Sequence, residues 1–191
     1  MDGAACKIVI GLPSTPDELA DYVANPCGRD LLASQRLTVQ QYERQVMAPL
    51  ARLAPVWRGY GARIYPGATL GMLGAAVREG PTASLFLVSH WRDAPLPAIE
   101  LFDGMADIDE VAGMFPAAFD GVVDLCICQS IELAKRIKSR CPEATVKWVN
   151  VDATPAVWFH IHTLALRFMH DLRLDYLDAL DRSLRSFEHA T

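Results

Sequence analysis

The 191-residue sequence predicts an α/β fold, a three-layer α/β/α sandwich around a mostly parallel central sheet. Short apolar runs alternate with stretches whose apolar residues recur at helical spacing. Two of these runs, SLFLVSH (84–90) and GVVDLCIC (121–128), are almost continuously apolar, as expected of strands that are covered on both faces. The alternation of strands and helices favours parallel strands joined by helical crossovers. About half of the residues are hydrophobic, which is enough for a large core.

The elements can be assigned in order along the chain. KIVIGLP (7–13) is the first strand, and STPDELADYVANP (14–26) is a helix with Thr15 as its cap. Residues 38–57 form a long helix with a possible kink at Pro49. The remaining predicted elements are a strand at 62–66, a helix at 68–80, an Asp-Gly hairpin at 98–106, helices at 107–119 and 130–141, a strand at 145–151, and closing helices at 154–171 and 175–189.

Composition and charge limit the possible functions. The net charge is −5 and no basic block occurs, which argues against nucleic acid and anionic membranes as partners. The N-terminal stretch lacks the pattern of a signal peptide, and no apolar segment reaches the roughly 18 residues of a membrane span. The five cysteines are an odd number, so we expect reduced thiols in a cytoplasmic protein. We expect a single domain over residues 1–191 and no cofactor.

Two residues at predicted strand ends suggest chemistry. His90 closes one central strand and Cys128 closes another. Chemistry in such sheets gathers at the carboxyl ends of the strands, and adjacent strands lie roughly 4.8 Å apart. If the two strands are neighbours, an imidazole faces a thiol, which is the arrangement that activates a cysteine nucleophile. Cys128 also precedes a predicted helix, whose positive end favours the thiolate.

Structural interpretations stand beside this hypothesis. Each residue alone is typical of a core cysteine or a strand cap. Cys126 is interpreted as core, and Cys126→Ser is expected to cost stability because it buries a hydroxyl. Cys126, Cys128 and a histidine lack a second ligand pair at zinc spacing. His160 and His162 face different ways in a helix and are not expected to be ligands. Asp124, an acid in an apolar strand, is either hydrogen-bonded structure or part of a substrate pocket.

Several segments together resemble a known family. ARIYPGATLGMLGAAVREGPTASLFLVSHW resembles the stretch that leads to the catalytic histidine of caspase-like cysteine peptidases, closest to the bacterial CHAT peptidases. AIELFDGMADIDEV is similar to the hairpin that follows it, and VVDLCICQS to the catalytic cysteine strand, with Cys-Gln-Ser similar to the family's Cys-x-Ser/Thr. VWFHIHTLALRFMHDLRLDYLDALDRS resembles the terminal helices. The resemblance covers roughly residues 60–188 and implies a caspase-hemoglobinase-like fold.

The resemblance implies a cysteine endopeptidase with His90 as base and Cys128 as nucleophile. The backbone N–H groups of Cys128 and Trp91 would hold the oxyanion, and Gln129 and Asp124 would lie at the substrate-binding part of the site. It also implies a protein substrate or regulatory partner in bacterial defence or cell death, a gasdermin-like protein by analogy. The family usually has glycine after the histidine. Trp91 at that position favours the alternative, a catalytically inactive interaction module.

Overall fold

The structure is a computed structural model, and it describes residues 5–25, 38–92, 96–149 and 153–188. The strands are β1 (Ala5–Ile10), β2 (Arg63–Tyr65), β3 (Thr82–Val88), β4 (Trp91–Arg92), β5 (Ala98–Leu101), β6 (Gly104–Asp107), β7 (Val122–Cys126) and β8 (Thr145–Lys147). The helices are α1 (Pro16–Ala24), α2 (the consecutive segments Val39–Tyr42, Glu43–Met47 and Ala48–Gly59), α3 (Leu70–Arg78), α4 (Ile108–Gly113), α5 (Ile131–Arg140), α6 (Pro155–Leu172) and α7 (Tyr176–Glu188).

The centre of the fold is a five-stranded sheet in the order β2-β1-β3-β7-β8, and all of its strand pairs are parallel. The predicted α/β class with a mostly parallel sheet is therefore confirmed. A second, antiparallel sheet in the order β4-β5-β6 is inserted between β3 and α4. No helix among the described residues has the length and apolar character needed to cross a membrane.

Helices pack on both faces of the central sheet. On one face α1, α2, α6 and α7 form a core with sheet residues that include Ile8, Phe86 and Cys126. On the other face α3, α4 and α5 pack with sheet residues that include Leu87 and Leu125. Successive residues of a strand point to opposite faces, so strands between two helical layers are apolar at most positions. This explains the continuous apolar runs in the sequence.

The long helix α2 accommodates Pro49 without a break. The segment Glu43–Met47, just before the proline, is a π-helix, in which the Ala48 N–H donates to the Glu43 carbonyl. Proline cannot donate to the preceding turn, and its ring crowds the carbonyl four residues earlier. The wider π turn is a known way to relieve such a conflict. The kink predicted at Pro49 is thus a local widening of the helix.

The structure corrects the ends of several predicted elements. The strands that were predicted to end at His90 and Cys128 end two residues earlier, because the pairing of β3 with β7 stops where Val88 lies opposite Cys126. The predicted hairpin is present, with Leu101 opposite Gly104. The helix predicted to reach residue 119 ends at Gly113, shortly before Pro116. The strand predicted for 145–151 ends at Lys147, and residues 150 and 151 lie outside the described part.

Gly11 provides a test of how closely the small sheet packs on β1. A Cβ built at Gly11 would lie 2.8 Å from the Glu100 carbonyl oxygen and 2.9 Å from Leu101 Cδ2. Gly11→Ala should therefore lower the free energy of unfolding by about 1–3 kcal/mol, measured by urea denaturation. Gly59→Ala is the matched control, since nothing lies within 4 Å of a Cβ there. The control should be neutral or stabilising by about 0.5–1 kcal/mol, and equal effects at both positions would contradict the close packing.

Candidate functional site

The candidate site lies at the carboxyl edge of the central sheet. β3 and β7 are adjacent and parallel, as the hypothesis about His90 and Cys128 requires. Val88 and Cys126 are the last paired residues, and each candidate follows its strand by two positions. Beyond these residues the two segments separate. β3 is followed by β4 of the small sheet, and β7 is followed by a turn and α5. Two neighbouring strands therefore deliver His90 and Cys128 to the same edge.

Cys128 is the accessible thiol of this region. Among the four cysteines that the structure describes, Cys6, Cys126 and Cys141 are buried, and Cys128 is partly exposed. Its Sγ lies 3.8 Å from the Ala153 carbonyl oxygen. Cys27 lies outside the described residues. A reagent or substrate that reaches the folded protein would therefore meet Cys128 before the other described thiols.

The chain makes a strained turn directly after Cys128. Gln129 has a φ of 56°, a left-handed conformation that non-glycine residues adopt uncommonly, and its side chain is exposed. The buried Ser130 hydroxyl has no hydrogen-bond partner, and α5 begins at Ile131. Strained backbone of this kind is often found at functional sites. The turn is followed directly by the ten-residue helix α5, so the positive N-terminal end of this helix lies next to the loop that carries Cys128.

His90 is a neutral, partly buried imidazole. Burial, and to a smaller extent the nearby Arg92 guanidinium, lower its pKa to about 4. Its Nε2 is buried without a hydrogen-bond partner, while its backbone carbonyl accepts from the Glu100 N–H at 3.0 Å. No hydrogen bond joins His90 to Cys128 among the described residues. At neutral pH His90 is thus able to accept a proton, as a general base must.

Trp91 belongs to the small sheet. It lies opposite Ile99 in the pairing of β4 with β5, and its partly buried ring packs against the core on the α3–α5 face. In the sequence, tryptophan at this position favoured the inactive interaction module. The structure places its ring against apolar core residues.

A second histidine–cysteine pair lies deeper in the molecule. Cys126 Sγ is 2.8 Å from His162 Nε2, and both side chains are buried. The buried Asp124 carboxylate accepts a hydrogen bond from the Tyr176 hydroxyl. His162 also stacks on Phe86 with ring centroids 4.1 Å apart. Asp124 therefore has partners within the core, which is the structural role that the sequence left open beside substrate binding.

This deeper pair is electrically neutral and closed to solvent. Burial, and then the Asp124 carboxylate, hold the pKa of the Cys126 thiol well above its ordinary value. Burial lowers the pKa of His162 to about 4, although Asp124 acts in the opposite direction. A thiol and a neutral imidazole share one proton here, and no thiolate forms. Cys126 is therefore a buried structural residue, as the sequence predicted.

The sequence analysis missed the role of His162. His160 and His162 do face different ways, with His160 exposed and His162 buried. The signal was available, since His162 occupies an apolar position of an amphipathic helix and a buried imidazole needs a partner. The partner could not be named, because helix α6 and strand β7 are brought together only by the tertiary fold.

The same cluster offers ligands suited to a metal ion. The ligand atoms of Asp124, Cys126 and His162 all lie within 4.8 Å of one another. Carboxylate, thiolate and imidazole groups are the ligands that zinc binds in proteins. The sequence considered Cys126 and Cys128 together with a histidine for zinc. The structure groups Cys126 with Asp124 and His162 instead, and Cys128 is not part of this group.

The hydrogen bond between Cys126 and His162 changes the expectation for Cys126→Ser. A serine hydroxyl can still donate to His162 Nε2, whereas Cys126→Ala leaves that nitrogen buried without a partner. The alanine variant should be less stable than the serine variant by about 1–3 kcal/mol in urea denaturation. Equal stability of the two variants would mean that the contact contributes no net stability.

The low pKa of His162 makes stability depend on pH. The unfolded chain binds a proton near pH 6.5 and the folded chain only near pH 4, so unfolding becomes easier as pH falls through this window. The full loss for one such group is about 3 kcal/mol. His162→Phe keeps a ring on Phe86 and should reduce this pH dependence by up to one proton, measured by denaturation at several pH values.

His160→Gln is the matched control, because His160 is exposed on the same helix. His90 contributes in the same direction and Glu100 in the opposite direction, and both remain present in the two variants. The comparison of slopes therefore isolates His162. Identical slopes in the wild type and in His162→Phe would contradict a neutral buried imidazole.

Two comparisons of the sequence with known proteins identify no family for this chain. A scan of the chain against protein-family models gives no match, and a search among curated proteins gives none either.

Proposed function

We propose that the protein is a cysteine endopeptidase of the caspase-like class, with Cys128 as nucleophile and His90 as general base. One observation carries the proposal. The one partly exposed thiol among the described cysteines follows β7 by two residues, and His90 follows the adjacent parallel strand by the same number. The small sheet between β3 and α4 supports it as well, because the resemblance to the family includes a hairpin at this point of the chain.

The chemistry follows from the groups at this edge. Neutral His90 accepts the proton of the Cys128 thiol as Sγ attacks a peptide carbonyl carbon. The backbone N–H groups of Cys128 and Trp91 donate to the oxyanion. His90 then gives its proton to the leaving amine as the C–N bond breaks, which leaves an acyl-enzyme. His90 next takes a proton from water, and the resulting hydroxide adds to the acyl carbon. The C–S bond then breaks, which releases the new carboxyl terminus, and His90 returns its proton to the Cys128 thiolate.

Some rearrangement is part of this mechanism. His90 and Cys128 share no hydrogen bond in the free protein. Catalytic hydrogen bonds are often long or absent until a substrate binds. The exposed Gln129 is placed to contact a bound chain beside the nucleophile. Asp124 is buried and bonded to Tyr176, so its part in the proposed site is to support the strand that carries the cysteine.

The proposal also covers the cellular location of the protein and its partners. The described cysteines are free, which fits the reducing cytoplasm. The resemblance to CHAT peptidases favours a protein substrate or regulatory partner in bacterial defence or cell death, with a gasdermin-like protein as the candidate by analogy. The rival function is an inactive interaction module of the same fold, in which His90 and Cys128 would occupy the same positions without catalysing cleavage.

Cleavage of a protein substrate tests the proposal. The full chain should be incubated with the proteins encoded beside it, and new peptide termini should be identified by mass spectrometry. Cys128→Ala and His90→Ala should each abolish the new termini, since members of one catalytic unit fail together. Cys126→Ala is the matched control, because it removes a buried thiol two residues away, and cleavage should persist wherever that variant remains folded.

The inactive interaction module predicts the opposite results. If new termini are absent, and iodoacetamide alkylates Cys128 at the same rate with and without His90, the inactive-module function is favoured. If termini appear with Cys128→Ala but vanish with Cys126→Ala, the nucleophile has been assigned to the wrong cysteine.

A further inference from the structure

Glu100 lies directly across the small sheet from His90. The pairing of β4 with β5 sets Trp91 opposite Ile99 and Arg92 opposite Ala98. The same register sets His90 opposite Glu100, and the Glu100 N–H donates to the His90 carbonyl at 3.0 Å. Residues directly opposite each other in an antiparallel pair project to the same face, with Cβ atoms about 4.5–5.5 Å apart. The two side chains therefore share one face of this sheet.

Three buried polar atoms on this face lack partners. They are His90 Nε2, Arg92 Nε and Glu100 Oε2. The other carboxylate oxygen of Glu100 accepts a hydrogen bond from the Tyr22 hydroxyl, and the Glu100 backbone carbonyl accepts from the Ser89 hydroxyl. Glu100 is thus fixed at one oxygen and at its backbone, while the second oxygen has no hydrogen-bond partner among the described residues. Orphaned buried polar atoms are rare in native proteins and require an explanation.

We propose that Glu100 is a positioning residue, whose free carboxylate oxygen accepts a hydrogen bond from the His90 ring during catalysis. This inference rests on the proposed function. A donated Nε2–H fixes the tautomer in which the other ring nitrogen, Nδ1, accepts the proton of Cys128. The same contact stabilises the imidazolium that forms, as an acid partner does for a catalytic histidine. One hydrogen bond would also satisfy two of the three orphaned atoms.

The charged groups around Glu100 make its effect depend on pH. Burial raises the pKa of Glu100 to about 7, while the hydrogen bond from Tyr22 and the charge of Arg92 act in the opposite direction. Tyr22 faces the carboxyl group from α1 and Tyr42 from α2. Burial holds the pKa of both hydroxyls well above the ordinary value, so they stay neutral. Above about pH 7 the ionised Glu100 accepts fully from His90, and below it the protonated carboxyl does so weakly.

The reactivity of Cys128 provides the test. The full chain is exposed briefly to iodoacetamide between pH 5.5 and 8.5, and peptide mass spectrometry follows each cysteine. The wild type should show an inflection near pH 7 in addition to the titration of the thiol itself. Glu100→Gln, which can still accept from Tyr22, should lose that inflection and react roughly tenfold more slowly at pH 8. Glu143→Gln, an exposed acid, is the matched control and should behave as wild type.

A second variant separates positioning from folding. Tyr22→Phe removes a hydrogen bond that lowers the pKa of Glu100, so the inflection should move to higher pH. A merely structural role for Glu100 would not move it. An unchanged inflection in Glu100→Gln overturns the inference, and where that variant does not fold, an unchanged inflection in Tyr22→Phe overturns it.

His90→Ala distinguishes a failure of the proposed dyad from a failure of the role assigned to Glu100. If His90→Ala leaves Cys128 alkylation unchanged, the proposed dyad itself fails. If His90→Ala slows alkylation but Glu100→Gln does not alter the pH profile, the dyad stands and the role of Glu100 is wrong.

Discussion

The parallel pairing of β3 with β7 is the constraint on which the rest of the structure depends. It joins β3, the middle strand of the five-stranded sheet, to its neighbour, and it ends where Val88 lies opposite Cys126. Because the pairing stops there, the two segments that follow β3 and β7 leave the sheet at the same edge in different directions. One enters a small antiparallel sheet and the other turns into α5. The polar groups of the candidate site collect at this edge, beyond the last paired residues of β3 and β7.

The layer beneath this edge is more polar than an apolar core usually is. Asp124, Cys126, His162 and Tyr176 link β7 to the two C-terminal helices through hydrogen bonds. Such a network is favourable only when its members satisfy one another, because a buried polar group without a partner is costly. The neutral forms of the thiol and the imidazole reduce that cost, because a thiolate and an imidazolium are not buried beside the Asp124 carboxylate, and among the described residues of this network only His162 Nδ1 lacks a hydrogen-bond partner. The network therefore supports the strand that carries Cys128 and fixes the position of α6.

The two histidine–cysteine pairs show why proximity alone does not identify a reactive thiol. Cys126 and His162 are in contact, yet both are buried and uncharged, so neither substrate nor solvent reaches them. Cys128 and His90 share no hydrogen bond, but Cys128 is partly exposed and follows the central sheet into a strained turn. Nucleophilic chemistry needs access and a proton acceptor, and contact can be completed when a substrate binds. Access is the property that separates the two pairs.

Local patterns were enough to predict much of the fold. Apolar runs, caps such as Thr15 and the Asp-Gly hairpin identified the strands and helices, because these signals depend on neighbours in sequence. Element ends were less predictable. The strand predicted over residues 84–90 extends past Val88, but the end of a strand is set by its pairing partner, which lies elsewhere in the chain. The same limit explains why the widened turn at Glu43–Met47 was predicted only as a kink.

The sequence by itself placed His90 and Cys128 at the ends of two central strands and Cys126 in the core. Only the tertiary structure decided which strands are neighbours, that His162 contacts Cys126, and that Glu100 lies across from His90. The physical reason is that these contacts join residues separated along the chain, by 10 residues for His90 and Glu100, 36 for Cys126 and His162, and 38 for the paired residues of β3 and β7. Periodicity reports the face on which a residue lies, and packing selects the residue that it meets there.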